Sequence, residues 1–122
     1  MESRSVFLPS YSIGDKDVYK KISALCRPYG TKAIVIGGER AMAAAKADLL
    51  AGIAGSDMEI TQFLKYGDDV TYEAADALVA NPDVQAADMI FAVGGGRATD
   101  TCKVAADKLN KPLFTFPTIA SN

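Results

Sequence analysis

The sequence predicts an α/β fold, a mainly parallel sheet with helices on both faces, and three observations predict it. Ala33-Ile34-Val35-Ile36, Met89-Ile90-Phe91-Ala92-Val93 and Pro112 to Phe116 are short, almost continuously apolar runs, as in strands buried on both sides of a sheet. Segments with apolar residues at helical spacing lie between them. The runs end in small or polar turns, Gly37-Gly38, Gly94-Gly95-Gly96 and Thr118 to Asn122. When strands alternate with helices, such turns gather at the carboxyl edge of the sheet, where these folds bind ligands.

Taken in order, Val6-Phe7-Leu8 before Pro9 reads as an edge strand, a position that tolerates proline. A helix follows, capped by Asp15, with Val18, Ile22 and Leu25 on one face, and Pro28 and Gly30 end it. Past the first buried run, Glu39 to about Ile53 is an alanine-rich helix with Met42, Ala45, Leu49 and Leu50 on one side. Gly52, Gly55 and Ser56 break it. Met58 to Phe63 alternates loosely and predicts a strand nearer an edge. Lys65-Tyr66-Gly67-Asp68-Asp69 reads as a loop with solvated carboxylates, in which Tyr66, like Tyr11, packs. Thr71 caps the next helix, Val70 and Ala75 staple its start, and Asn81-Pro82 stops it. A last helix is expected from about Thr99, faced by Cys102, Ala105, Ala106 and Leu109.

A chain of 122 residues, 49% of them hydrophobic, forms one domain with a real core. Net charge is −2 with no basic block, which argues against a nucleic-acid partner. Met1-Glu2-Ser3-Arg4 opens no signal peptide and no run reaches membrane-spanning length, so the expected setting is the cytoplasm, away from membranes. Cys26 and Cys102 fall in helices of different units and are expected as reduced thiols rather than a disulfide or a metal pair. The chain has no histidine, and so lacks the commonest general base and metal ligand.

The stretch from Met89 to Lys103 carries the chemistry. Strand, glycine turn, helix is the geometry in which unpaired backbone N–H groups converge on an anion. Glycines let a diphosphate approach the backbone without meeting a Cβ. Arg97, a cation in the first helical turn, opposes the helix macrodipole unless an anion sits beside it. The run is not the GxGxxG fingerprint, so the pattern alone points to a phosphate and no further. The alternative is a glycine turn that merely joins two elements, with Arg97 in solvent.

Three segments carry a family resemblance: Leu8-Pro9-Ser10-Tyr11-Ser12-Ile13-Gly14, Val93-Gly94-Gly95-Gly96-Arg97-Ala98-Thr99-Asp100-Thr101-Cys102-Lys103, and Phe116-Pro117-Thr118-Ile119-Ala120-Ser121. With them the chain resembles, over essentially its whole length, the N-terminal domain of the iron-containing alcohol dehydrogenase superfamily, nearest the glycerol dehydrogenases. The resemblance implies a Rossmann-like, dehydroquinate synthase-like domain over residues 1–122, with the helical metal-binding C-terminal domain absent from this chain. It implies an NAD-dependent oxidoreductase, NADP being possible, acting on the CH–OH group of glycerol or a related alcohol or polyol. The zinc or iron of the parent enzyme belongs to the other domain, and the parent is expected as a homo-oligomer. Gly94, Gly95 and Gly96 are implied at the pyrophosphate with Arg97 and Asp100 near it, and Thr118 at the border of the dinucleotide. No catalytic residue or metal ligand is expected here, and the isolated chain is expected to be inactive. The same domain serves sugar-phosphate dehydrogenases and dehydroquinate-synthase-like enzymes. A gene ending at Asn122 would instead be a non-catalytic nucleotide-binding or assembly module.

The departures from the family pattern matter as much. Gly38 stands where many relatives carry the Asp that binds the adenine ribose. Either Glu39 substitutes for it, or the loss relaxes discrimination against a 2′-phosphate. Arg97 stands where glycerol dehydrogenases often have Lys, and Asn122 where they commonly have Thr followed by Asp. Asp100 is expected in the first turn of its helix, where the macrodipole favours a carboxylate whatever the function. Either it approaches the cofactor or it pairs with Lys103 on the helix surface.

Overall fold

The computed structural model of the chain describes residues 22–66, 72–94 and 96–116. Helix α1 (Ile22–Cys26) and a 3-10 turn (Arg27–Tyr29) lead to strand β1 (Lys32–Gly37). Helix α2 (Glu39–Ile53), strand β2 (Glu59–Lys65) and helices α3 (Tyr72–Ala80) and α4 (Pro82–Ala86) follow. Strand β3 (Met89–Val93), helix α5 (Gly96–Leu109) and strand β4 (Leu113–Phe116) complete the described chain. These strands form one sheet in the order β2-β1-β3-β4, and every pairing is parallel. The predicted α/β class is the observed one.

Ala33 to Ile36 and Met89 to Val93 are wholly buried, so two layers are needed to cover them. Alternation splits the side chains. Val35, Met89, Phe91, Val93, Phe114 and Phe116 face α1 and α2, whereas Ile34, Ile36, Ile90, Ala92 and Leu113 face the helices α3, α4 and α5. Phe91 anchors the first layer, its ring 5.8 Å from that of Phe114 and 5.0 Å from that of Phe116. Truncating a buried phenylalanine of this kind costs about 3–5 kcal/mol. In the second layer Cys102, Ala105 and Ala106 let α5 lie close on the sheet. An exposed Lys108–Asp76 ion pair at 2.9 Å joins α5 to α3.

Strand β2 lies at the edge and is only half-buried, as its loose alternation predicts. Its pairing with β1 slips by one residue: Ala33 opposes Ile60, but Ile34 opposes Gln62. Thr61 is the extra residue, and its hydroxyl donates to the Ala33 carbonyl at 3.3 Å. This bulge puts Ile60 and Phe63 on the same face, and Phe63 receives the Lys46 ammonium 5.4 Å above its ring.

Several boundaries differ from the sequence expectation, each for a local reason. Helix α5 begins at Gly96 rather than about Thr99, because the turn needs few residues once Gly94 takes a φ of 124°. Leu50 is 42% exposed, and Ile53 takes its place on the buried face of α2. Gly52 stays helical, and the break comes at Ala54 and at Gly55, whose φ is 80°. Asn81-Pro82 ends α3 and at once starts α4, the Asn81 side chain accepting from the N–H groups of Asp83 and Val84. Lys65 is strand, not loop. The expected strand 6–8, the Asp15 and Thr71 caps, Val70 and the acidic pair Asp68-Asp69 lie outside the described residues.

One carboxylate fastens the amino ends of β1 and β3. Asp88 Oδ2 accepts from the backbone N–H groups of Thr31 and Lys32, both at 3.0 Å, while the Asp88 N–H donates to the Lys32 carbonyl at 2.8 Å. Gly30, with a φ of 141°, makes room, since a Cβ there would run into the Asp88 carboxylate. The Lys32 and Thr31 N–H groups and, more weakly, the Lys111 and Lys32 ammonium groups hold the Asp88 carboxyl below the 3.8 of an ordinary aspartate. A depressed carboxylate stabilises the fold above its unfolded pKa, and the gain is lost as pH falls through the folded value. Asp88→Asn is therefore expected to lose about 1 kcal/mol near neutral pH, the modest figure of a water-facing charged acceptor. Urea unfolding across pH should show variant and parent converging below pH 3.8; a gap that stays constant into acid would refute the charged clasp.

Candidate functional site

The connections define a crevice. From β1 the chain passes through α2 to β2 on one side, and from β3 through α5 to β4 on the other. Helices α2 and α5 lie on opposite faces, so the two crossovers share one hand. Adjacent strands β1 and β3 are thus the topological switch point, outside whose carboxyl ends open α/β sheets bind ligands. Register pairs Gly37 with Val93, which sets the turn after β1 beside the turn after β3.

Gly94 is buried with a positive φ of 124°, a conformation open to glycine, and its N–H donates to the Phe116 carbonyl at 3.2 Å. The carboxyl end of β4 therefore lies beside this turn. Gly96 and Arg97 begin the 14-residue helix α5. Its first turn, Gly96-Arg97-Ala98-Thr99, holds no acid and includes one basic residue, Arg97. Asp100 is exposed and lies more than a full turn in, which removes the first-turn carboxylate argument made from sequence. Asp100 and Lys103 are also not among the ion pairs of the described residues. Gly95 and Thr118 lie outside the described residues.

Across the crevice Gly38 is the N-cap of α2, with φ −70° and no capping side chain, and its carbonyl accepts from the Met42 N–H at 3.0 Å. Exposed Glu39 follows, its Oε2 3.7 Å from Lys65 Nζ at the end of β2. The Tyr66 N–H donates to the Gly37 carbonyl at 3.2 Å, and its ring packs in the second layer with one edge towards Gly38. The switch point thus brings Gly94 and the start of α5 beside Gly38 and Glu39. It also adds Lys65, which sequence reasoning left in a loop. The available signal was Phe63-Leu64, which prolongs the apolar stretch past the expected strand end.

The described residues do not fit a catalytic metal. Among them no three Cys, Asp or Glu side chains cluster, and the chain has no histidine. Cys26 and Cys102 are free, buried in opposite layers, and pushed by burial up to about 12, so both remain protonated thiols at neutral pH. Nor is any described helix long and apolar enough to cross a membrane.

The family model for iron-containing alcohol dehydrogenase matches residues 9–122. A glycerol-1-phosphate dehydrogenase (NAD(P)+) of Caldivirga maquilingensis is 57% identical over 35 residues, 29% of this chain and 10% of its own length. Glycerol dehydrogenase from Schizosaccharomyces pombe superposes with a TM-score of 0.69 at 18% identity, over 95% of this chain and 29% of that one. A probable glycerol dehydrogenase from Sinorhizobium meliloti 1021 gives 0.65 at 22% identity, over 85% of this chain and 27% of that one. Maleylacetate reductase from Agrobacterium tumefaciens gives 0.65 at 18% identity, over 96% and 33%. At such identities the structural likeness establishes the fold. The chain spans no more than 33% of the length of any of these proteins.

The crevice depends on how closely β1 approaches β3. A Cβ on Gly37 would run into the Val93 carbonyl oxygen, a backbone atom that cannot turn aside. Gly37→Ala is expected to part the strands and to lower stability by about 1–3 kcal/mol, the range for overpacking. Urea unfolding midpoints measure it, and an unchanged midpoint would mean that the strand ends separate freely.

Proposed function

Since the chain belongs to the iron-containing alcohol dehydrogenase family, we propose that it holds the nicotinamide dinucleotide of an oxidoreductase acting on the CH–OH group of glycerol or a related polyol. The observation that carries this reading is the glycine turn at the β1–β3 switch point, opening onto a helix whose first turn carries Arg97 and no acid. Backbone N–H groups of residues 95 and 96 and the start of α5 receive the pyrophosphate where the chain turns at Gly94, Arg97 balances its charge, and Gly38 and Glu39 border the adenine ribose. In this reading Thr118, in the segment that follows β4, borders the dinucleotide. When bound, the nicotinamide supplies the acceptor for a hydride from the carbinol carbon. This chain's own part is to bind and orient. The zinc or iron of such an enzyme takes its ligands from residues outside this stretch.

A second substrate reading has its own support. The relative that shares 57% identity over 35 residues is a glycerol-1-phosphate dehydrogenase, which favours a phosphorylated polyol over a free one. Assay of the whole protein with glycerol and with glycerol-1-phosphate separates the two.

The binding reading has a direct test. Calorimetric titration of the chain with NAD and NADP is expected to show weak saturable binding that Gly95→Val abolishes, because an isopropyl group occupies the space of the pyrophosphate. Circular dichroism identical to the parent makes the comparison valid. Equal affinity in a folded Gly95→Val variant would sink the assignment.

A further inference from the structure

Lys65 owes its place to a one-residue slip. Continuing the pairing of Ala33 with Ile60 would bring Leu64 opposite Gly37, but the bulge at Thr61 advances β2 so that Lys65 stands there instead. Bulges re-aim side chains and are common beside functional sites. The effect here is to set an ammonium group at the carboxyl edge, beside the turn next to the glycine turn. In a doubly wound dinucleotide fold the strand next to the phosphate-binding strand ends at the adenosine ribose, where an acid reads the 2′-hydroxyl and a cation accommodates a 2′-phosphate. Here β1 is that neighbour of β3, and its turn presents Gly38 without a side chain, then Glu39 paired with Lys65.

We propose that Lys65 is the residue that reads the 2′-position, accepting a 2′-phosphate, with Glu39 as its exchangeable counter-ion; this rests on the dinucleotide reading of the same crevice. The pair is built to exchange. At 3.7 Å it is longer than a hydrogen bond, and its side chains are 58% and 80% exposed, so solvent screens it and little is lost when it parts. A 2′-phosphate draws Lys65 away from Glu39. An unmodified ribose leaves the pair in place and donates its hydroxyl to the Glu39 carboxylate. The chain thus takes both dinucleotides, and opposite members of one ion pair favour opposite forms.

The test titrates the full chain with NAD and NADP in the parent, Lys65→Gln, Lys65→Arg, Glu39→Gln and Lys108→Gln. Lys65→Gln is expected to weaken NADP about tenfold, the factor that about 1.4 kcal/mol represents, and to leave NAD within about twofold. Lys65→Arg keeps the NADP affinity, and Glu39→Gln shifts the preference towards NADP. Lys108→Gln, in the last turn of α5, removes one positive charge and moves neither. A Lys65→Gln variant that weakens both ligands equally, or neither, overturns the role of Lys65 while the dinucleotide reading stands. A parent chain that binds neither ligand overturns both.

Discussion

The parallel pairing of β1 with β3 is the constraint on which the molecule depends. Strand β3 is wholly buried and so is β1 from Ala33 onward, so each must be covered on two sides, and one helix layer cannot suffice. Strand crossovers take one hand, so chains leaving these two strands in opposite directions must place α2 and α5 on opposite faces. The crevice between the strand ends follows from that divergence and needs no dedicated scaffold. Gly37 and Gly94 keep it open and narrow, one by lacking a Cβ where backbones meet and the other by taking a positive φ.

How far the sequence reveals this depends on how strongly a residue's own chemistry dictates its place. The run Met89 to Val93 was readable to the residue, because five consecutive apolar side chains leave no alternative to burial on both faces. Helix α2 was equally plain from its alanines. The start of α5 was misplaced because three glycines look like a long turn, although only Gly94 of the described ones adopts the left-handed conformation. That error put Asp100 at the helix end and gave it a dipole role that it does not have. Gly94, Gly38 and Glu39 could be placed at one edge from sequence because their turns end strands there. Lys65 was not, because its position depends on a slip between two strands, a pairwise fact that one strand's residues do not encode. Helix α4 was hidden for a related reason: Asn81-Pro82 stops one helix and caps another with the same two residues.

The Asp88 clasp and the switch-point turns occupy opposite ends of the same strand pair, which divides the labour between them. At the amino end, a charged acceptor ties Thr31 and Lys32 to the start of β3. At the carboxyl end the ties are backbone to backbone, the Gly94 N–H to the Phe116 carbonyl and the Tyr66 N–H to the Gly37 carbonyl.

The edge position of β2 gives the crevice a soft side. Strand β3 has a neighbour on each side and no exposed side chain, whereas β2 is paired along one side among the described strands and is half-buried. Cooperative opening that exposes β2 therefore uncovers far less apolar surface than opening that exposes β3, and such sub-global events need only a fraction of the unfolding free energy. Native-state amide exchange should find the β2 amides bonded to β1 exchanging faster than those of β3. The Lys65–Glu39 flank would then breathe while the flank formed by β3 stays shut. An adenosine moiety binding across both would be most protective where the free chain opens most, quieting the edge strand more than the core.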